Sequence, residues 1–210
     1  MPERGTVQLN PLNSISMKRF ALYLIVIYAA LAHALACAQD TPGSTTDSNL
    51  VVSAARIHKD GEAFYELQAT GVVHATPQQT WKKLTTYGEM QTFVPNLASA
   101  KLVSRIGDES TIEQKWVKRV LFFTHTVNLV VRANEHPITR IDISLVSGEM
   151  KKYSATWELT PLGPDGMNGT RISYHGKIEP DSYMPAFFGT SMMLSDLRNM
   201  MEAVLAEIDK

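Results

Sequence analysis

Histidines have the widest chemical repertoire in this chain. His58, His74, His125, His136 and His175 are scattered over different predicted strands and loops, and His33 sits in an apolar N-terminal run. No two have the close spacing by which one helix or one tight loop aims a pair of imidazoles at a zinc ion, so no metal site is expected. His125 is the best placed of them, because it shares a predicted strand face with Val127 and Leu129. The nucleophile elbow of hydrolases, the phosphate-cradling loop of kinases and the glycine fingerprint of dinucleotide binders are all absent. Those three chemistries therefore lack their minimal parts, and no cofactor is expected.

A second candidate is the adjacent pair Tyr174-His175 in the stretch TWELTPLGPDGMNGTRISYHGKIEP, residues 156–180. Its arms alternate apolar and polar residues around a middle dense in Pro, Gly, Asn and Asp, which predicts a β-hairpin. Strand neighbours point to opposite faces, so Ile172, Tyr174, Gly176 and Ile178 look toward the core and His175 looks away. The pair cannot share a site. Tyr153 lies on the neighbouring predicted strand with the facing sense of Tyr174, and the two hydroxyls either orient a ligand carbonyl or find backbone partners in a packed core. Gln114 puts an amide on an otherwise apolar inward face, where it is either tied to its neighbours or available to a polar ligand group.

These residues need a scaffold, and the hydrophobic periodicity describes one. Two strand-like runs, 50–57 and 63–75, are joined by HKDGE, in which Asp60-Gly61 is a strong turn signal. The stretch ATPQQTWKKLTTYGEM opens a short helix with Thr76 as N-cap and Pro77 in the first turn; Trp81 belongs to its inner side. A second helical turn over 89–93 stops before Pro95. Six strands follow, at 99–106, 110–120, 124–134, 138–147, 151–160 and 170–178, joined by short turns in the manner of an antiparallel meander. Met193, Leu197, Met200, Val204 and Ile208 then recur at helical spacing, which predicts a long amphipathic helix over 185–208. The fold class is α+β.

This order of elements resembles the helix-grip fold of the START and Bet v 1-like (SRPBCC) superfamily, and more closely its polyketide cyclase/dehydrase and coenzyme Q-binding branch. The resemblance is carried by ATPQQTWKKLTTYGEMQTFVPNL, SGEMKKYSATWELTP, GTRISYHGKIEP and the terminal helix, over 64–208. Thr86 departs from it, since the family often has Asp before the tyrosine that stands here as Tyr87. The resemblance implies a curved antiparallel sheet wrapped around the C-terminal helix, with an apolar cavity between them. Residues expected to line that cavity are Gln114, Trp116, Val127, Ile143, Tyr153, Trp157 and Tyr174 from the strands, and Met193 and Leu197 from the helix. Phe93 and Phe188, the latter beside Phe187, are expected at its entrance. Apolar inward residues also suit an interior packed shut, so composition leaves an open and a filled cavity as alternatives.

The 210 residues are 44% hydrophobic with a formal net charge of −1, enough for one real core plus an appendage. With no Lys/Arg-rich run, nucleic acid is not an expected partner. Lys18-Arg19, the apolar run FALYLIVIYAALAHALA and the small residues Ala34, Ala36 and Ala38 have the order of a secretory signal. Met17 is the expected start of translation. Residues 1–38 are thus read as an extension plus signal peptide, 39–49 (QDTPGSTTDSN) as a flexible tether and 50–210 as the domain. Cleavage after Ala36 or Ala38 places the protein in the periplasm or outside the cell. Lipidation at Cys37, the only cysteine, and an uncleaved anchor are the alternatives. The expected function is an exported binding protein for a hydrophobic small molecule such as a lipid, quinone or polyketide-like compound, for which transient membrane contact is a further partner. An aromatase/cyclase- or dehydratase-like enzyme, which needs an acid-base pair in the cavity, and a cavity-free interaction protein are the competing expectations.

Overall fold

The computed structural model describes residues 50–59, 61–120, 123–181 and 186–210, with the side chains of 118–120, 123, 165 and 186–188 excepted. The expected signal segment with Cys37, the expected tether and Asp60 of the predicted first turn lie outside the described residues. Eight strands form one antiparallel sheet: β1 (Val51–Lys59), β2 (Glu62–Val73), β3 (Leu97–Ile106), β4 (Glu109–Val120), β5 (Phe123–His136), β6 (Arg140–Gly148), β7 (Met150–Pro161) and β8 (Thr170–Pro180). Their spatial order is β1-β2-β8-β7-β6-β5-β4-β3. The last six strands are the expected meander, and the first hairpin docks on its end by pairing β2 with β8.

Helix α1 (Pro77–Thr85) joins β2 to the far edge of the sheet. It starts where the sequence says it should. Gln79 N–H donates to Thr76 Oγ1 at 3.3 Å, and Thr76 N–H donates to Gln79 Oε1 at 2.9 Å, which satisfies two of the amides a helix start leaves open. A 3₁₀ turn, Tyr87–Thr92, follows and buries Tyr87. The predicted strand at 138–147 begins two residues late. Ile138 has φ +65, a left-handed conformation incompatible with a strand, and belongs to the turn.

The long helix α2 (Ala186–Ile208) crosses the inner face of the sheet. Met201 and Val204 are fully buried, and Leu197 is only 3% exposed. Gly71 of β2 lets the helix approach, since a Cβ there would stand 2.5 Å from Leu205 Cδ1. At the helix end, Asp209 accepts from the amides of His74 and Ala75 at 2.7 and 3.2 Å, and Lys83 Nζ donates to Glu207 at 2.9 Å. These contacts tie the end of α2 to the segment before α1 and to the last turn of α1. Irregular registers at Leu97/Ser99, Leu102/Ser104, Val130/Val131 and Met150/Lys152 interrupt the ladders, and such bulges bend a sheet. Among the described residues no helix is long and apolar enough to cross a membrane.

Candidate functional site

A cavity of about 370 Å³ lies between the inner face of the sheet and α2. Its walls follow from strand alternation. Even-numbered residues of β4 face inward (Ile112, Gln114, Trp116), as do odd-numbered ones of β5 (Val127, Leu129, Val131), β6 (Ile141, Ile143) and β7 (Tyr153, Trp157). Tyr174 and Ile178 of β8 continue the same face, and Met193, Leu197, Met200 and Val204 of α2 close it. The interior is therefore open where the sequence allowed either alternative.

Nine of the predicted lining residues come together here: Gln114, Trp116, Val127, Ile143, Tyr153, Trp157, Tyr174, Met193 and Leu197. Phe93 does not. It closes the 3₁₀ turn and packs half-buried against the core, while its neighbours Met90, Val94, Pro95 and Asn96 border the cavity. The side chains of Phe187 and Phe188 lie outside the described residues. Trp81 packs against the core, as its helix face suggests. His175 is exposed on the outer face and Tyr174 is buried, so strand alternation separates the pair as expected.

Tyr174 is held in three ways. Trp157 meets it edge-on, with ring centroids 4.9 Å apart and planes at 65°. Its ring also lies over Gly176, where a Cβ would come within 2.8 Å of the hydroxyl. The third is the neighbouring hydroxyl of Tyr153. Burial pushes both phenols above their ordinary range; their mutual interaction raises Tyr174 further and partly offsets the rise at Tyr153. Both are protonated at neutral pH. On β4, Trp116 Nε1–H donates to Gln114 Oε1 at 3.1 Å, so one end of the predicted inward amide is tied to its neighbour.

Tyr87, a lining residue that the sequence did not single out, donates its hydroxyl to Glu135 Oε1 at 3.0 Å. The same oxygen accepts from Ser110 at 2.8 Å and from Arg105 at 3.0 Å, and Arg105 Nε donates to Ser110 at 2.9 Å. Glu135 is 10% exposed, so this carboxylate is a nearly buried acceptor with three donors. Burial, then the Glu135 charge and hydrogen bond, push the Tyr87 phenol far up, against the opposing Arg105 charge. Inward parity of Glu135 on β5 was the only available signal, and a charged residue near a strand end reads more simply as solvated.

Exposed residues mark the mouth: Pro95 and Asn96 before β3, His125 on β5, Glu149 in the β6–β7 turn and Asp181 after β8. Glu149 accepts from the backbone and side chain of Asn128 at 2.7 and 3.0 Å, which lower its pKa, with a smaller contribution from His125. Among the described residues, no group of three or more His, Cys, Asp or Glu is placed to hold a metal ion.

Comparison with solved structures returns the same architecture. A STAR-related lipid transfer protein from Xanthomonas axonopodis superposes with TM-score 0.62 at 12% identity, covering 82% of this chain and 97% of that one. A START superfamily protein from Mycobacterium smegmatis gives 0.58 at 14%, covering 68% and 96%. Zhui aromatase/cyclase from Streptomyces sp. R1128 gives 0.56 at 14%, covering 69% and 93%. At such identities the likeness concerns the fold, a helix-grip sheet and helix. Comparison with curated proteins finds no match. A family model described as polyketide cyclase/dehydrase and lipid transport matches residues 66–210. That match spans well over half of the sequence, and the chain belongs to the polyketide cyclase/dehydrase and lipid transport family.

Proposed function

We propose that the protein is an exported carrier or sensor that buries one hydrophobic small molecule, a lipid, quinone or polyketide-like compound, between its sheet and its C-terminal helix. The observation that carries this reading is the cavity itself, of about 370 Å³, walled by aliphatic and aromatic side chains with few polar groups inside. Its volume falls in the range of small-molecule sites, roughly 300–1,000 Å³. Removing apolar ligand surface from water there supplies about 25 cal/mol per Å², and the interior polar groups set orientation.

Similar folds bear the names lipid transfer protein and aromatase/cyclase, so the fold does not choose between carriage and catalysis. The distribution of titratable groups favours carriage. Acid-base chemistry needs a pair able to exchange protons near the substrate. Of the described titratable lining residues, His125, Glu149 and Asp181 sit exposed at the mouth, Asp196 on α2 is half-buried and already engaged in an interaction, and the interior phenols stay protonated. Native mass spectrometry of protein purified from its own host tests the reading. A copurified apolar ligand of matching mass supports it; protein that comes out empty and binds no lipid, quinone or polyketide extract overturns it.

Export is part of the same proposal, supported by the charged, apolar and small-residue order of 18–38. Sequencing the mature N-terminus should place it between Cys37 and Asp40. Full-length protein found in the cytoplasm would refute export. Cys37→Ser should release protein from membranes only if that cysteine carries an acyl anchor.

A further inference from the structure

We infer that, whatever the cavity holds, two copies of this chain pair edge to edge through β1, antiparallel about a twofold axis at Ala54. Among the described residues the sheet has two free edges, β1 and β3. Each presents backbone N–H and C=O groups on its outer side, and an edge left in that state is a template for another strand. The two edges are built differently. Irregular registers at Leu97/Ser99 and Leu102/Ser104 interrupt β3, and Lys101 and Arg105 stand exposed along it; bulges and edge charges both keep a second strand away. The first five residues of β1 have neither. β1 pairs with β2 without a shift from Val51↔Thr70 to Lys59↔Glu62, and residues 51–55 (VVSAA) bear no charge. Val51 is 71% exposed, an apolar side chain left in water. β1 also lies outside the residues 66–210 that the family model matches, so nothing in the family assignment accounts for its edge.

Register and charge identify the occupant as a second copy. Leu67 lines the cavity and pairs with Ala54, so the even-numbered residues of β1 face inward and Val51, Ser53, Ala55 and Ile57 face outward. An antiparallel copy centred on Ala54 sets Ser53 against the partner's Ala55 and Val51 against the partner's Ile57. Each pair shares a face, as a ladder requires. The exposed valine is thereby covered by a half-buried isoleucine, once on each side of the axis, and apolar cross-strand pairs are what stabilise a sheet. The basic end of β1 fits the same register. Arg56 meets the partner's Val52 and His58 meets the partner's Leu50. The two Arg56 residues are offset by about 14 Å along the strands, beyond a screening length of about 8–10 Å. Parallel pairing would instead stand Arg56 beside Arg56 and Lys59 beside Lys59, which is destabilising, and it does not close on itself as a twofold does. The seam, 51–57, is short, so the pair forms reversibly.

Sedimentation equilibrium of the protein as purified from its host should show monomer and dimer in exchange, with a Kd of about 1–100 μM, as suits a small transient interface. Val51→Lys combined with Ser53→Lys gives this edge the kind of charge that β3 already carries. Both positions are exposed, so melting of the dilute variant should match wild type while its Kd rises at least about tenfold. Val103→Lys, at an exposed position of the opposite edge, should leave the Kd as in wild type. The register is read by cysteines in a Cys37→Ser background: Val51→Cys mixed with Ile57→Cys should oxidise to a cross-linked pair, and neither variant alone should, because a disulfide needs Cα atoms within about 7 Å. A monomer up to about 1 mM, or a dimer that withstands the two lysines, overturns pairing through β1. A dimer that the lysines dissociate but that gives no cross-link between positions 51 and 57 overturns the axis at Ala54.

Discussion

Gly176 sets the position of Tyr174 by having no side chain. Its backbone is ordinary strand, so Gly176→Ala costs nothing in φ, but the new methyl would stand 2.8 Å from the Tyr174 hydroxyl. Trp157 limits where that ring can go. We expect a loss of about 1–3 kcal/mol in urea unfolding and weaker ligand retention, as for overpacked cores. Unchanged stability would mean that Tyr174 swings freely. Tyr174→Ala should cost about 2–5 kcal/mol, whereas His175→Ala should leave stability and affinity nearly unchanged. Asp142 is a different kind of residue. Burial raises its pKa, but Arg140 Nε at 2.8 Å, Thr156 Oγ1 at 2.9 Å and His136 Nε2 at 3.2 Å outweigh that, and the net shift is downward. A depressed folded pKa contributes stability above the unfolded value, about 3.9, and that stability is lost as pH falls through the folded pKa. Asp142→Asn should therefore be less stable than wild type at pH 6, and the gap should close below about pH 4. A gap that persists in acid would show that the loss was one of packing rather than charge.

Helix α2 does two jobs on two sides. Leu205 seats it on β2 and Met201 is fully buried, while Met193, Leu197, Met200 and Val204 border the cavity. Leu197→Asp places a carboxylate against the sheet interior, and we expect the domain to unfold or lose at least about 4 kcal/mol by thermal and urea melts. Normal stability would show that the ion reaches water through the cavity. The seating side can be measured separately. Gly71→Ala crowds Leu205 and should cost about 1–3 kcal/mol, and combining it with Leu205→Ala should cost less than the two single losses added. Strict additivity would place the clash elsewhere. The helix stripe and the strand alternation were both readable as periods of apolar residues. Which apolar residues of α2 touch sheet and which touch open space was not, because one stripe serves both.

In the molecule as a whole, the C-terminal end of α2 is tied to the junction between β2 and α1, where Asp209 bonds His74 and Ala75, and a cavity is left between this anchor and the mouth. A ligand that binds only the folded state adds stability by mass action, about 2.7 kcal/mol at a hundredfold excess over Kd. Saturation with a bound apolar ligand should therefore raise Tm by several degrees, and Tyr174→Ala should shrink the rise. A rise of the same size in the variant would put the ligand outside this cavity.

Element order, strand faces and the apolar stripe of α2 were determined by the sequence alone, since alternation with period 2 and recurrence near 3.6 are local properties written residue by residue. Nine of the eleven expected lining residues follow from those periods. The tertiary structure decided what depends on distance between layers. Bulges and the pairing of β2 with β8 set the sheet's shape, and the seat of Leu205 on Gly71 sets the helix height; together they leave space where the same apolar residues could have met. Phe93, expected at the entrance beside Pro95, packs against the core instead, because it stands just past a 3₁₀ turn whose geometry follows neither period and so gave its direction no signal. Glu135 was missed because its three donors, Tyr87, Arg105 and Ser110, come from positions 25 to 48 residues away, and only folding brings them to one oxygen.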